Sequence, residues 1–443
     1  VTLHEWLAVA AVLSGLLLGL PLVRARVLRT GASAETARKS VHVAMGLGCV
    51  AFPWIFDRPL PVWVLTAMVT VLLGGLRLIP ALRTGVGSAL HGIKRLSYGE
   101  ILFAPAVAAV FHGSQGQPLL HVIPIGILTI SDAAGALAGT RWGKRRYGCG
   151  DGFKTVEGSV MFLATAFLCV FLPLYFSSEP ATPRALWIAL ILATLAMMAE
   201  GTSDRGFDNL VVPVGCYFVL DRLLQCETPA LIGRFVAVAL LLALVLWGSR
   251  WSTLSGAALL GGALLGYVCA VVADWRFALP PVAVFVCHVV TTRKHKLTHV
   301  FDHRLDAVLA HSIGCLPWVI AAGLGWISMP AGLAGISFAM SAQLAMLDAS
   351  TLSWLGHFPP KPLRSTLKGW LVAGLPGLVW FAPGFGRLVP GMVIAVLATP
   401  LLVLLLQRLR PRFHRDTTRL WLIEGCLALA ASSPALLTHQ TPG

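Results

Sequence analysis

Apolar runs of roughly 16–20 residues follow one another along the whole chain, each closed by a short polar stretch, and that length suits a helix crossing a bilayer. About 16 such segments are counted, from 4–23 at one end to 420–437 at the other. The first is followed by many others and lacks a basic leader, so it reads as a helix and not as a cleaved signal. The expected fold is all-α: a polytopic integral membrane protein with two bundles, residues 1–230 and 231–443. No stretch has the look of a large soluble domain.

Composition sharpens this. Of 443 residues, 57% are hydrophobic and only 12% are charged, and the mean hydropathy is +0.79. A soluble chain carries about twice that charged share. The net charge of +15 would point to nucleic acid in a soluble protein. Here most of the 34 Lys and Arg sit in alternate connections, as the positive-inside rule requires. Those connections include 24–40, 77–97 (with Arg83, Lys94 and Arg95), 140–157 and 293–306. This places the basic loops in the cytoplasm, both termini outside, and membrane lipid, not nucleic acid, as the surrounding partner. Val1 fits a GUG start and hence a bacterial inner membrane. The nine cysteines are scattered and form no C-x-x-C pair, so they read as small core residues.

The polar residues that interrupt apolar runs are the candidates for chemistry. Arg38, Lys39 and His42 open the second segment, and Glu100 opens the fourth. Positive-inside anchoring accounts for the first two as well as phosphate contact does, and helix capping accounts for Glu100. Asp132 lies inside the fifth segment, where an ionisable group is costly and a functional candidate by default. Gly135 and Gly139 form a G-x-x-x-G packing face. The loop 140–157 follows, with Lys144, Gly148, Gly150, Gly152, Lys154 and Thr155. Its glycines permit turns that aim N–H groups at an anion, and Lys154 and Thr155 are expected where the next helix begins. The P-loop pattern is absent. Glu200, Asp208 and Asn209 return on the same side. Asp132 and Asp208 together suit Mg²⁺, which takes oxygen ligands and leaves room for phosphates.

The ordered set R-K-S-V-H-V-A-M-G, Y-G-E-I-L-F, S-D-A-A-G-A-L-A-G-T-R-W-G, K-T-V-E-G-S and F-D-N-L-V-V-P, over about residues 35–220, resembles the motif series of the phytol kinase and dolichol kinase family. Those membrane enzymes phosphorylate isoprenoid alcohols, typically with CTP. The resemblance implies that Asp132, Lys154, Thr155, Glu157 and Gly158 belong to the nucleotide site. It marks Arg38, Lys39, His42, Glu100, Asp208 and Asn209 as family positions. It implies CTP as phosphoryl donor, Mg²⁺ as cofactor and phytol, geranylgeraniol or a polyprenol as substrate. The family is akin to phosphatidate cytidylyltransferases, and Asp204-Arg205-x-x-Asp208 partly matches their acidic signature, so a CDP-lipid synthase stays open. So does a lipid transporter, although paired broken helices in an internal repeat are not evident.

From about residue 250 the pattern restarts. Gly262 and Gly266 form a second G-x-x-x-G, and Arg293, Lys294, Arg304 and Asp348 are the polar candidates. This series resembles, more loosely, the membrane family that includes phytyl-phosphate kinase. Asp306 and His311 depart from that family's first run, and the acid of its second is missing after Asp348. A second kinase acting on the monophosphate is one reading, and a scaffold without chemistry is the other. His295, His299, His303 and His311 are too loosely spaced to specify a metal site.

Overall fold

The structure, a computed structural model, describes residues 1–78, 98–150, 152–177, 181–297, 303–354, 361–375, 379, 385–409 and 417–438. It divides into two compact units, Val1–Val238 and Ala239–Gly443.

In the first unit, helices α1 (Leu3–Arg29), α2 (Ala34–Val50), α3 (Phe52–Ile55), α4 (Pro59–Leu78) and α5 (Gly99–Gly113) precede a long span. That span is α6 (Pro118–Gly126), a π-helical turn (Ile127–Ser131) and α7 (Asp132–Trp142) without a break. A hairpin follows, β1 (Arg146–Cys149) and β2 (Gly152–Thr155), then α8 (Val156–Phe176), α9 (Thr182–Thr202), α10 (Asp208–Leu224) and α11 (Thr228–Gly248), which runs across the division between units.

Local chemistry sets several of these starts. Ser33 Oγ accepts the Thr36 N–H at 3.1 Å and caps α2; Thr155 Oγ1 accepts the Gly158 N–H at 3.2 Å and caps α8. Where lipid tails are as apolar as the side chains, helices associate by close packing. A Cβ on Gly135 would lie 3.1 Å from the Gly158 carbonyl, and one on Gly158 2.8 Å from the Gly135 carbonyl. Helices α7 and α8 thus meet backbone to backbone. Phe52, Phe56, Phe103, Phe111 and Leu128 fill the core beneath α4, α5 and α6.

In the second unit, α12 (Gly256–Val272), a 3₁₀ turn (Trp275–Ala278), α13 (Leu279–Lys294), α14 (Leu305–Gly323) and α15 (Met329–Trp354) come first. Then come α16 (Pro362–Gly369) with a π-helical turn (Trp370–Gly374), α17 (Phe385–Leu409) and α18 (Thr417–Ser432) with a closing 3₁₀ turn. Helix α15 is the centre: nearly all of it is buried, with Phe338 and Met340 packed among Phe277, Trp318 and Leu388.

Two expectations need correction. Ten helices among the described residues are long and apolar enough to cross a membrane, with three shorter apolar ones, and not 16. Helices α2 and α10 fall short because each has 17 residues and carries charged groups. Nor is the fold purely helical. The stretch read as a flexible glycine loop forms the antiparallel hairpin, pairing Arg146 with Thr155 and Tyr147 with Lys154. Strict alternation in R-Y-G-C and G-F-K-T supplies two faces, and Gly150, at φ +55°, makes the turn.

Candidate functional site

Lys39 and His42 lie three residues apart on α2 and so share a face. Asp132 opens α7 directly after the π turn, a distortion often found at functional positions. Gly46 lets α2 approach that turn, since a Cβ there would fall 2.1 Å from Thr129 Oγ1. The result is a buried cluster. Lys39 Nζ lies 2.5 Å from Asp132 Oδ2, and His42 Nε2 is 3.5 Å from the same oxygen. His42 Nε2–H donates to the Leu128 carbonyl at 3.1 Å, which leaves Nδ1 as the acceptor of a neutral ring. The His42 ring also rests edge-on against Phe103 at 5.4 Å. Lys39 is 4% exposed and Asp132 and His42 9%, so each charge relies on its neighbours instead of water.

A second cluster surrounds the hairpin. Its outer face carries Arg146 over the Phe153 ring at 4.2 Å, and its inner face carries Tyr147, Cys149 and Lys154. Lys154 Nζ donates to Glu200 Oε1 at 2.6 Å and to the Glu200 carbonyl. Burial alone opposes the Lys154 charge, but Glu200 and Asp208 outweigh it and raise its pKa. Burial and the Glu200 charge push the Tyr147 phenol up to about 12, and its hydroxyl bonds Ser159 Oγ at 2.8 Å. Cys149 Sγ–H reaches the Ser203 carbonyl at 3.2 Å.

The two clusters are electrostatically one. Asp208 senses the charges of Asp132, Lys154 and Lys39, and Glu200 senses Lys154, Asp208 and Asp132. Asp208 opens α10, after Arg205 and Gly206 turn the chain in left-handed conformations (φ +52° and +88°). Its Oδ1 accepts the Asn209 N–H at 3.1 Å, and no Lys or Arg among the described residues pairs with it. Glu157 closes the neighbouring loop by accepting the Lys144 and Arg145 N–H groups at 3.1 and 3.2 Å.

Among the described residues no group of three or more His, Cys, Asp or Glu side chains is arranged around a metal position. The donor chemistry nevertheless fits Mg²⁺, which is held by one or two carboxylates with water and phosphate completing its shell. Among the described residues Asp208 Oδ2 has no hydrogen-bond partner, and Asp132 keeps one oxygen beyond the one Lys39 engages.

Neither a protein-family model nor a solved structure matches the chain. A phytol kinase of Synechocystis sp. does: it is 31% identical over 216 residues, which make up 47% of this chain and 88% of that protein. The chain belongs to the phytol kinase family. The relationship covers part of the protein, because more than half of the chain lies outside it.

In this member of the phytol kinase family the structure brings together Lys39, His42 and Asp132, and beside them Lys154, Asp208 and Asn209. Thr155 and Gly158 serve the α7–α8 junction: a Cβ on Gly139 would meet Thr155 Oγ1 at 2.8 Å. Lys154 and Thr155 end strand β2 directly before α8, and Thr155 is the cap of that helix, so both lie at the helix start as expected. Arg38 is exposed, and its charge acts on Asp132 and His42. Lys144 is exposed at the hairpin's entry. The Glu100 side chain and the loop with Arg83, Lys94 and Arg95 lie outside the described residues, as does His299. Tyr147 was not anticipated, because its signal, the period of two in the strand, is only four residues long.

In the second unit, Asp348 of α15 accepts from Ser365 Oγ at 2.7 Å and Lys368 Nζ at 2.5 Å. Arg293 lies exposed over the Trp251 ring at 4.6 Å, and Lys294 and Arg304 are exposed. These three cations do not line the cavity that Asp348 borders.

Proposed function

We propose that the first unit transfers the γ-phosphoryl group of CTP to the hydroxyl of a long-chain isoprenoid alcohol such as phytol, geranylgeraniol or a polyprenol. The reaction takes place at the cytoplasmic face of a bacterial inner membrane. The observation that carries this reading is the joined cluster of Lys39, His42, Asp132, Lys154 and Asp208 in a chain that belongs to the phytol kinase family.

Phosphoryl transfer asks for positioning and for neutralised charge, with little covalent work by the protein. Lys154 and Arg38 supply cations toward the triphosphate, and Glu200 keeps the Lys154 ammonium ionised and aimed. Asp132 and Asp208 would hold Mg²⁺, which would offset the charge of the phosphates when bound. His42 Nδ1 is the acceptor suited to the alcohol proton, held by its bond to the Leu128 carbonyl. Lys39 holds Asp132 ionised in a buried position until the nucleotide arrives. The alcohol's tail stays among apolar helices.

The test uses purified full-length protein in detergent with Mg²⁺, γ-labelled CTP and each alcohol. Labelled lipid monophosphate with release of CDP is expected. Labelled diphosphate in the same assay would assign a second phosphorylation to the second unit. No labelled lipid from any alcohol, with CMP-lipid formed from phosphatidate and α-labelled CTP, would replace this reading with a cytidylyltransferase.

A further inference from the structure

The second unit encloses a cavity of about 400 Å³, within the range of small-molecule sites. Leu241, Leu244, Leu265, Val284 and Phe285 give it long apolar walls. Its polar lining includes Thr253, His288, His303 and His311, with the Asp348–Lys368 pair and Glu424, besides several Ser and Thr hydroxyls.

The hydrogen bonds fix what this end can accept. His311 Nδ1 is 2.5 Å from the Ala307 carbonyl, and a carbonyl only accepts, so Nδ1 carries the proton. The neutral ring then leaves Nε2 as an acceptor with no partner among the described residues, and no carboxylate pairs with this ring. Thr253 Oγ1 joins His288 Nε2 at 3.1 Å and His303 Nδ1 at 2.8 Å. One hydroxyl proton cannot serve both rings, so at least one ring donates to Thr253.

The charge balance decides between head groups. Lys368 is already paired with Asp348, and Arg293, Lys294 and Arg304 lie outside the lining. Among the described residues no surplus cation lines the cavity to hold a phosphate dianion. A hydroxyl meets an acceptor at His311 and hydrogen-bonding partners around it.

We propose that this cavity is a binding site for the hydroxyl end and first part of the chain of a long-chain alcohol, separate from the phosphoryl-transfer cluster. His311 Nε2 accepts the hydroxyl proton. The apolar walls take the chain, and Gly262 keeps the space open, since a Cβ there would meet nothing within 4 Å.

The experiment photolabels full-length protein in detergent with a geranylgeraniol analogue that carries a diazirine in its chain, and then maps the labelled peptides. Label is expected on α12 and α14, competed by free geranylgeraniol and roughly tenfold less well by its monophosphate. Gly262→Leu, which fills the cavity, should cut that labelling about tenfold, and His311→Phe roughly fivefold, in proteins that melt like the wild type. Asp132→Asn protein should still label α12 and α14, which separates this site from the kinase reading. Label confined to the first unit, labelling unchanged in Gly262→Leu, or stronger competition by the monophosphate than by the alcohol would each overturn the proposal. If Gly262→Leu fails to fold, Leu265→Trp from the same wall replaces it, with the same expected loss.

Discussion

Lys39 and Asp132 are 93 residues apart in sequence and 2.5 Å apart in space, and both are buried. Removing one member of such a pair leaves a charge without water or partner, so Lys39→Met should cost about 3–5 kcal/mol of stability. A thermal melt in detergent reads this directly. Asp132→Asn keeps an oxygen for Lys39 to bond and should cost less stability, but lower phosphoryl transfer by about 10²–10³-fold. Transfer retained in folded Asp132→Asn protein would make the pair a structural tie and not a site. Lys154 yields a pH prediction. A lysine whose pKa is raised on folding draws stability from its partner below the unfolded value of 10.5, and loses it as pH climbs through the folded value. The melting difference between wild type and Lys154→Met should therefore stay flat from about pH 7 to 10 and shrink above that. Its size should be about 2 kcal/mol, between an exposed and a fully buried pair. The residue types of this site were legible in the sequence, because an acid within an apolar run has few structural excuses. Their partners were not: spacing says nothing of which cation reaches Asp132, nor that Glu200 faces Lys154.

At the scale of elements, the hairpin and the π turn position the site, and neither was visible in the hydrophobic pattern. Sixteen apolar runs announce helices because each is long. Strands of four residues offer only two alternations apiece, and three glycines argue for a loop just as well. The hairpin's own tether can be tested. Gly150 has φ +55°, and a Cβ on it would fall 1.8 Å from Asp204 Oδ2, in the turn that leads to Asp208. Gly31 has φ +77° and open space around it. Gly31→Ala therefore measures the backbone strain alone, about 1 kcal/mol, with activity retained. Gly150→Ala should add a displacement of the hairpin against Asp204. We expect phosphoryl transfer at least about tenfold below that of Gly31→Ala at matched expression, since small misplacements of positioning groups are costly. Equal activity in the two variants would mean that the hairpin is not held by this contact.

At the scale of the molecule, each unit is organised around a buried aspartate with a lysine 2.5 Å away, Asp132 with Lys39 and Asp348 with Lys368. In both, the aspartate sits on one of the unit's most buried spans. The surroundings differ. Asp132 shares its field with Lys154, Glu200 and Asp208, next to the hairpin, whereas Asp348 borders an apolar cavity with histidines. Similar pairs therefore predict different consequences. Asp348→Asn should leave formation of the lipid monophosphate within about twofold of wild type, where Asp132→Asn lowers it about 10²–10³-fold, as expected of transfer by the charges gathered in the first unit. Product analysis of the two variants, at matched melting temperature, separates the outcomes. A fall in monophosphate as deep in Asp348→Asn as in Asp132→Asn would show that the first step needs both pairs.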